Sequence, residues 1–218
     1  GLFTFLYQSD KMDSNPMKNI KRPKYNDNVK QVYLSKADMN SILQVTELEG
    51  GTWKERDTAI VFLLMNTGMR RTALTEINMS DIDFKEKTIT VLDKRHKYHT
   101  YYMSQHMEKI IREWIVKRSK IIKKEVDALF ITSNGSRITD KTIYNMVKKY
   151  TRIALGVSYG PHKLRAGFCT TLYNETHDIE FVKNAVGHQS TTTTSKYIID
   201  SRNIKKEASS IMDNIFQF

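Results

Sequence analysis

The sequence predicts a mostly α-helical domain with one small three-stranded antiparallel sheet, an α+β fold. Three observations support this class. Apolar residues recur at helical spacing through most of the chain after residue 35. Between residues 81 and 103 they alternate or are β-branched, which is typical of strands. Capping residues and glycines stand where the predicted helices begin or end.

The start of the chain differs in composition from the rest. Residues 2–9 are apolar, and we expect them to be the end of a helix from a preceding domain. A polar segment with Pro16 and Pro23 follows and is typical of a linker. We therefore divide the chain into residues 1–30, the end of one domain and its linker, and residues 31–218, a second domain.

The second domain is predicted to begin with three helices. Ser35 and Asp38 form a capping box ahead of the first. The second covers about residues 52–66 and ends at Gly68, and a short helix covers 71–77.

A sheet and further helices complete the prediction. Three antiparallel strands lie between residues 81 and 103, with turns at 85–87 and 94–99. The helices that follow have start signals at Thr139, Pro161 and Asp178, and one stops at Gly187. They are predicted over residues 104–123, 139–154, 162–175, 178–186, 190–198 and 203–216.

The charge of the chain indicates a polyanionic partner. Its 218 residues include 35 Lys and Arg against 24 Asp and Glu, a net charge of +11. Residues 94–124 hold ten basic residues against two acidic ones, and residues 137–165 hold seven against one. Two such surpluses predict a basic face, with nucleic acid as the first candidate partner. An acidic membrane surface is disfavoured because the basic residues do not lie on one long amphipathic helix.

Composition excludes several classes of protein. A single cysteine, Cys169, excludes a disulfide framework and a Cys-rich zinc site, and it fits a reducing compartment. No apolar run approaches the ~18 residues of a membrane span. The first residues lack the pattern of a signal peptide. We therefore expect no membrane association and a cytoplasmic protein.

Four short motifs carry side chains whose chemistry fits together. Each motif alone is common on protein surfaces. They are Arg70 in Thr-Gly-Met-Arg, Lys94 in the second sheet turn, His162 with Arg165 three residues later, and His188 after Gly187 with Tyr197 nine residues later.

Together these groups are what strand transfer at a DNA phosphodiester requires. Two guanidinium groups can hold the non-bridging oxygens of a phosphorane. A tyrosine hydroxyl can attack phosphorus, a lysine can protonate the departing 5′ oxygen, and histidines can hold protons near neutral pH. No carboxylate cluster for Mg²⁺ is evident, so we predict neither a metal nor another cofactor.

The order and spacing of these residues resemble the tyrosine recombinase (phage integrase) family. That family has an arginine in Thr-Gly-x-Arg, a hairpin lysine, His-x-x-Arg, a His or Trp after glycine, and a tyrosine nine residues on. The resemblance covers about residues 30–218 and implies the catalytic-domain fold of this family. Residues 2–24 are similar to the last core-binding helix and its linker, so residues 1–30 are expected to end a core-binding domain.

The resemblance also implies a role for each side chain. Strands would be cleaved and rejoined through a 3′-phosphotyrosine, without ATP or metal. The roles are Tyr197 as nucleophile, Arg70 and Arg165 as ligands of the scissile phosphate, Lys94 as general acid, His162 as general base, and His188 as a donor to a phosphate oxygen.

Some positions depart from the family pattern. Ala73 stands where many members have an acidic residue, with Glu76 one turn later, and Ala166 follows Arg165 where many have histidine. The hairpin reads Asp-Lys-Arg-His-Lys, which leaves both Lys94 and Lys97 open as the general acid. These departures predict a weaker supporting hydrogen-bond shell around a complete primary set.

The implied partner is double-stranded DNA, bound by a homotetramer in the bacterial cytoplasm. Residues 203–216 carry an apolar stripe, which either docks on a neighbouring subunit or packs on its own core. The stripe consists of Ile204, Ala208, Ile211, Met212 and Ile215. The alternatives are a monomeric type IB topoisomerase and a non-catalytic DNA-binding module, although the latter would have no use for the Tyr197 hydroxyl.

Overall fold

A computed structural model describes residues 2–16, 18, 33–93, 97–122, 125–187 and 194. The chain divides into two units, residues 1–32 and 33–218. The first unit contains helix α1 (Leu2–Gln8), whose apolar side chains Leu2 and Phe5 are 68% and 62% exposed. The helix expected at the start of the chain is therefore present.

The second unit is mostly helical with one small sheet, which confirms the predicted fold class. Short 3₁₀ turns at Gly51–Trp53 and Met79–Asp81 precede α3 and β1. The predicted helices at 190–198 and 203–216 lie outside the described residues, apart from Thr194. The elements are α2 (Lys36–Glu49), α3 (Lys54–Thr67), α4 (Arg71–Glu76), β1 (Ile82–Asp83), β2 (Thr88–Asp93), β3 (Lys97–Tyr102), α5 (Gln105–Ile121), α6 (Asp140–Leu155), α7 (Pro161–Thr176) and α8 (Ile179–Val186).

The helix ends follow local capping rules. The Asp38 amide donates to Ser35 Oγ at 3.1 Å, and the Ser35 amide donates to Asp38 Oδ2 at 2.8 Å. This capping box satisfies amides at the start of α2 that have no partner within the helix. Helices α3 and α8 end at Gly68 and Gly187, whose φ values of 59° and 64° are left-handed and favour glycine.

The sheet is an antiparallel meander in the order β1-β2-β3. Val91 pairs with His99, and Asp93 pairs with Lys97. Ile89 and Val91 are buried, so the inner face of the sheet packs on the helices. Lys94 follows Asp93, the last paired residue of β2, in the sequence and lies outside the described residues.

Helix α3 lies at the centre of the core. Ile60, Leu63 and Leu64 are at most 1% exposed, and α3 contacts α2, α5 and α7. A helix that is buried around most of its circumference has no wide polar face, which is typical of a central core element. Among the described segments, no helix combines the length and apolar character needed to cross a bilayer.

Residues 125–138 form a connection that is buried at 128–131 and 138 and for which the sequence predicted no structure. Ala128 bridges to Asn78, and Ile131 bridges to Arg137. Arg118 of α5 donates to the carbonyl oxygen of Ala128 at 3.0 Å. Trp114 Nε1 donates to the carbonyl oxygen of Leu129 at 2.9 Å. Buried backbone groups need such partners, and side chains of α5 supply them here.

A buried polar network joins α3 to α6. The Tyr150 hydroxyl donates to Asp57 Oδ2 at 2.6 Å, and Arg56 pairs with Asp57 Oδ1 at 2.8 Å. Arg56 also donates to the carbonyl oxygen of Ile131 at 3.1 Å and lies over the Trp53 ring. Burial, followed by the bond to Asp57, raises the pKa of Tyr150 well above its usual value, so the phenol stays a donor.

Tyr150→Phe should lower the free energy of unfolding by about 1–3 kcal/mol, because the buried Asp57 carboxylate loses a donor. Tyr98→Phe is the matched control, since the Tyr98 side chain is 74% exposed. Urea denaturation of both variants measures the difference. Equal changes in the two variants would contradict a stabilising role for this network.

Candidate active site

Arg165 on α7 is a buried cation that joins the ends of two other helices. Arg165 is 3% exposed. Its Nη1 donates to the carbonyl oxygen of Gly68, and its Nη2 donates to that of Val186 at 3.0 Å. Both carbonyls lie at helix C-termini, where the last carbonyls have no partner within the helix and the helix dipole favours a positive charge.

These two hydrogen bonds bring three of the four predicted motifs together. Gly68 lies two residues before Arg70, and Val186 lies two residues before His188. A planar guanidinium can bridge two acceptors in one plane, which the single ammonium of lysine cannot do in the same way. Arg165 therefore holds the backbone at Gly68, ahead of Arg70, and at Val186, ahead of Gly187.

Arg70 is the N-cap residue of α4 and lies two residues after the left-handed Gly68. It is partly exposed, and its carbonyl oxygen accepts from the Leu74 amide at 3.1 Å. A Cβ at Gly68 would lie 2.5 Å from Cδ1 of Phe168 on α7. The turn that presents Arg70 thus packs so closely on α7 that only glycine fits.

His162 lies exposed in the first turn of α7, three residues before Arg165. The Tyr144 ring lies between this turn and the start of α4. It is 5.2 Å from the Arg71 guanidinium carbon, and a Cβ at Gly160 would lie 2.9 Å from its Cε2. Arg71 also donates to Asp140 Oδ2 at 2.5 Å. Tyr144 therefore supports the segments of both Arg70 and His162.

The β2–β3 hairpin reaches the Gly-His motif through His99. This residue is partly buried on β3, and a Cβ at Gly187 would lie 2.5 Å from its Cε1. The described residues thus bring the hairpin whose turn contains Lys94 next to the residue that precedes His188.

The predicted site residues are described to different extents. Arg70, His162 and Arg165 lie on neighbouring segments as set out above. Lys94, His188 and Tyr197 lie outside the described residues, as does the side chain of Lys97. Of the segment around the tyrosine, the structure describes Thr194, which is buried.

Sequence reasoning missed His99 and Tyr144 as parts of this site. Successive side chains of a strand point to opposite faces of the sheet, and this alternation along β3 could have placed His99 on the inner face, beside Val91. The spacing of Asp140 and Tyr144 by four residues places both on one face of α6. Nothing in the sequence indicated which segments those faces would meet.

The structure describes both residues of the first departure from the family pattern, Ala73 and Glu76. Ala73 is buried on α4, and Glu76 is exposed and accepts from Thr75 Oγ1 at 3.3 Å. The described support around Arg165 comes from backbone carbonyls. Cys169 lies one turn after Arg165, and burial raises its pKa to about 11, so it is a neutral thiol near pH 7.

Comparison with known proteins identifies the family. A sequence profile described as the phage integrase family matches residues 32–203. The chain therefore belongs to the phage integrase family, as its motifs predicted.

Curated relatives agree with this assignment. Tyrosine recombinase XerC of Caldanaerobacter subterraneus subsp. tengcongensis is 33% identical over 202 residues, covering 90% of this chain and 55% of the relative. Tyrosine recombinase XerC of Pediococcus pentosaceus is 30% identical over 203 residues, covering 90% of this chain and 67% of the relative. The chain thus spans about half to two-thirds of the length of these two proteins.

Solved structures share the fold. The crystal structure of XerA recombinase has a TM-score of 0.71 at 25% identity, covering 94% of this chain and 71% of that one. XerH recombinase bound to palindromic difH substrate, in a post-cleavage complex, has a TM-score of 0.79 at 24% identity, covering 97% and 62%. These similarities confirm the predicted tyrosine recombinase catalytic-domain fold.

Gly187→Ala should destabilise the protein more than Gly156→Ala. Both glycines end helices with left-handed φ values, 64° and 73°, so both variants carry backbone strain. Only Gly187 has an aromatic ring against it, since a Cβ at Gly156 meets nothing within 4 Å. The additional loss should be about 1–3 kcal/mol, typical of overpacking.

Urea denaturation measures both variants. Adding His99→Ala to Gly187→Ala should recover the steric part of the loss and leave the backbone strain. If Gly187→Ala and Gly156→Ala are equally destabilised, the close contact between His99 and Gly187 is not present in solution.

Proposed function

We propose that this chain is the catalytic part of a site-specific DNA recombinase that cleaves and rejoins strands through a 3′-phosphotyrosine, without ATP or metal. The observation that carries the proposal is the position of Arg165. Its hydrogen bonds to the carbonyl oxygens of Gly68 and Val186 support a shared site, because these two residues lie two positions before Arg70 and His188 in the sequence. DNA binding alone has no need to bring these three motifs together.

In the proposed cleavage step, the Tyr197 oxygen forms a bond to phosphorus while the bond from phosphorus to the 5′ oxygen breaks. His162 accepts the proton of Tyr197, and Lys94 donates a proton to the departing 5′ oxygen. Arg70, Arg165 and His188 stabilise the charge on the non-bridging oxygens. Attack by a 5′ hydroxyl reverses these steps, so the phosphodiester energy is conserved and no nucleotide is consumed.

Double-stranded DNA is the proposed partner. The net charge of +11 favours a polyanion, and similar folds have been solved with DNA. Besides the XerH complex, these include the Tn1549 transposon integrase with circular intermediate DNA, at a TM-score of 0.67 and 23% identity, covering 95% of this chain and 74% of that chain. We further propose that residues 1–30 are the end of a core-binding domain and its linker, and that the enzyme acts in the bacterial cytoplasm.

Tyr197→Phe should abolish covalent capture of DNA and leave non-covalent binding intact, because only the attacking oxygen is removed. A pool of nicked DNA duplexes with randomised sequence serves as the probe, since a nick allows the cleaved end to leave and traps the adduct. Mass spectrometry of the wild-type adduct should locate the nucleotide on Tyr197. Tyr98→Phe, which removes a hydroxyl from an exposed tyrosine of β3, should still form the adduct. An adduct that survives in Tyr197→Phe would overturn the assignment.

We also propose that residues 203–216 form a helix that docks on a neighbouring subunit, so that four copies assemble on DNA. The support is the apolar stripe of Ile204, Ala208, Ile211, Met212 and Ile215 in the sequence. This segment begins six residues after Tyr197 (203 − 197), so whatever holds it also positions the nucleophile.

The double variant Ile211→Ala with Ile215→Ala should lose recombination between two DNA sites while its melting temperature barely changes. A buried isoleucine cut back to alanine typically costs about 2–5 kcal/mol, which would here be lost from the subunit interface. If the melting temperature falls and supercoiled DNA is still relaxed, the stripe is ordinary core. That result would favour a monomeric type IB topoisomerase.

A further inference from the structure

His99 occupies a position between the hairpin and the helical body. It lies on the inner face of β3, opposite Val91, and two residues after Lys97, which pairs with Asp93 at the turn. Its ring faces the Cα of Gly187, where a Cβ would lie 2.5 Å from Cε1 and 3.0 Å from Nδ1. A side chain of any other residue at position 187 would displace the ring.

The contact links the hairpin to the centre of the site. Gly187 directly follows Val186, whose carbonyl oxygen accepts from Arg165 at 3.0 Å. A short series of contacts therefore runs from Arg165 through residues 186 and 187 to the His99 ring, and from there along β3 to the turn. The base of the hairpin is held separately, where Ile89 and Val91 are buried and β2 contacts α4.

The part of the hairpin near its turn has little other burial among the described residues. Leu92 is 42% exposed and Tyr98 is 74% exposed. A two-stranded ribbon is marginally stable by itself, so its end needs a contact with the body to hold a defined position. His99 is the inner-face residue of β3 that provides this contact at Gly187.

We propose that His99 is a positioning residue that holds the general-acid lysine of the β2–β3 turn at a defined place relative to Arg165 and the scissile phosphate. This inference rests on the proposed recombinase function. Proton transfer to the 5′ oxygen must occur as the bond from phosphorus to oxygen breaks, so it depends strongly on the position of the lysine. The imidazole acts by packing and takes no part in the proton transfer.

The test compares two leaving groups. Single-turnover cleavage is measured on the duplex recovered from the covalent pool, synthesised with either an ordinary 5′ oxygen or a 5′-bridging sulfur. Because a thiolate leaves without protonation, the sulfur substrate does not need the general acid. Lys94→Ala and Lys97→Ala identify which lysine is rescued by sulfur and calibrate the size of the rescue.

His99→Ala should slow cleavage of the ordinary duplex by about 10²-fold, as expected for a misplacement of about 1 Å, and should be close to wild type on the sulfur duplex. His99→Phe keeps a planar ring against Gly187 and should retain most activity on both. His106→Ala is the matched control, because His106 is an exposed histidine on α5 that contacts Phe62.

A second readout needs no DNA. Amide hydrogen exchange at Leu92 and Tyr98, which pair one position before the last pair Asp93–Lys97, should be faster in His99→Ala than in wild type, since the ribbon end opens more often. His106→Ala should leave these two amides unchanged.

The outcomes separate this inference from the proposed function. A wild-type chain that forms no adduct with any duplex contradicts the recombinase function. Unchanged amide exchange in His99→Ala overturns the positioning role by itself. So does an active wild type whose His99→Ala variant is equally slow on both substrates. Equal losses in His99→Ala and His99→Phe would assign chemistry to the ring nitrogens. If neither lysine variant is rescued by sulfur, the turn does not supply the acid, and the inference fails.

Discussion

The structure depends on one buried cation, the guanidinium of Arg165. Two helix C-termini, those of α3 and α8, present carbonyl groups without a partner in their own helix, and Arg165 donates to one from each. Such a charge is costly to bury without partners, and such carbonyls are costly to leave unsatisfied. The same two bonds join α7 to the segments that lead into Arg70 and Gly187. The Arg165 side chain therefore contributes both to the stability of the fold and to the geometry of the site.

Helix α3 provides the rigid base for this arrangement. At its N-terminal end, Asp57 accepts from Tyr150 and pairs with Arg56 in a buried network. At its C-terminal end, about 16 Å from Asp57 at the helical rise per residue, the carbonyl oxygen of Gly68 accepts from Arg165. The network that stabilises α3 thus lies far from the site, and the site gains precision because it is built on the end of a well-packed helix.

Two left-handed glycines determine how closely the segments approach. The Phe168 ring lies against Gly68, and the His99 ring lies against Gly187. In each case a helix ends at a glycine, and an aromatic side chain from another element occupies the space where a Cβ would be. Phe168 comes from the same helix as Arg165, whereas His99 comes from the sheet, so α7 and the hairpin meet the two turns independently. Tyr144 adds a third such contact at Gly160.

The sequence alone predicted the helices and the sheet of the described residues, because these elements depend on interactions between residues that are near in the chain, and its motifs predicted the family. Ser35 with Asp38, Thr139 and Asp178 cap helices through bonds to amides two or three residues away. The order and spacing of all six predicted site residues, from Arg70 to Tyr197, carried the family resemblance. Residues 125–138 escaped prediction because their buried backbone is satisfied by Trp114 and Arg118 of α5. The bond from Arg165 to Gly68 spans 97 positions. Only the folded chain decided this bond and the contact of His99 with Gly187, because no local pattern records which distant surfaces will meet.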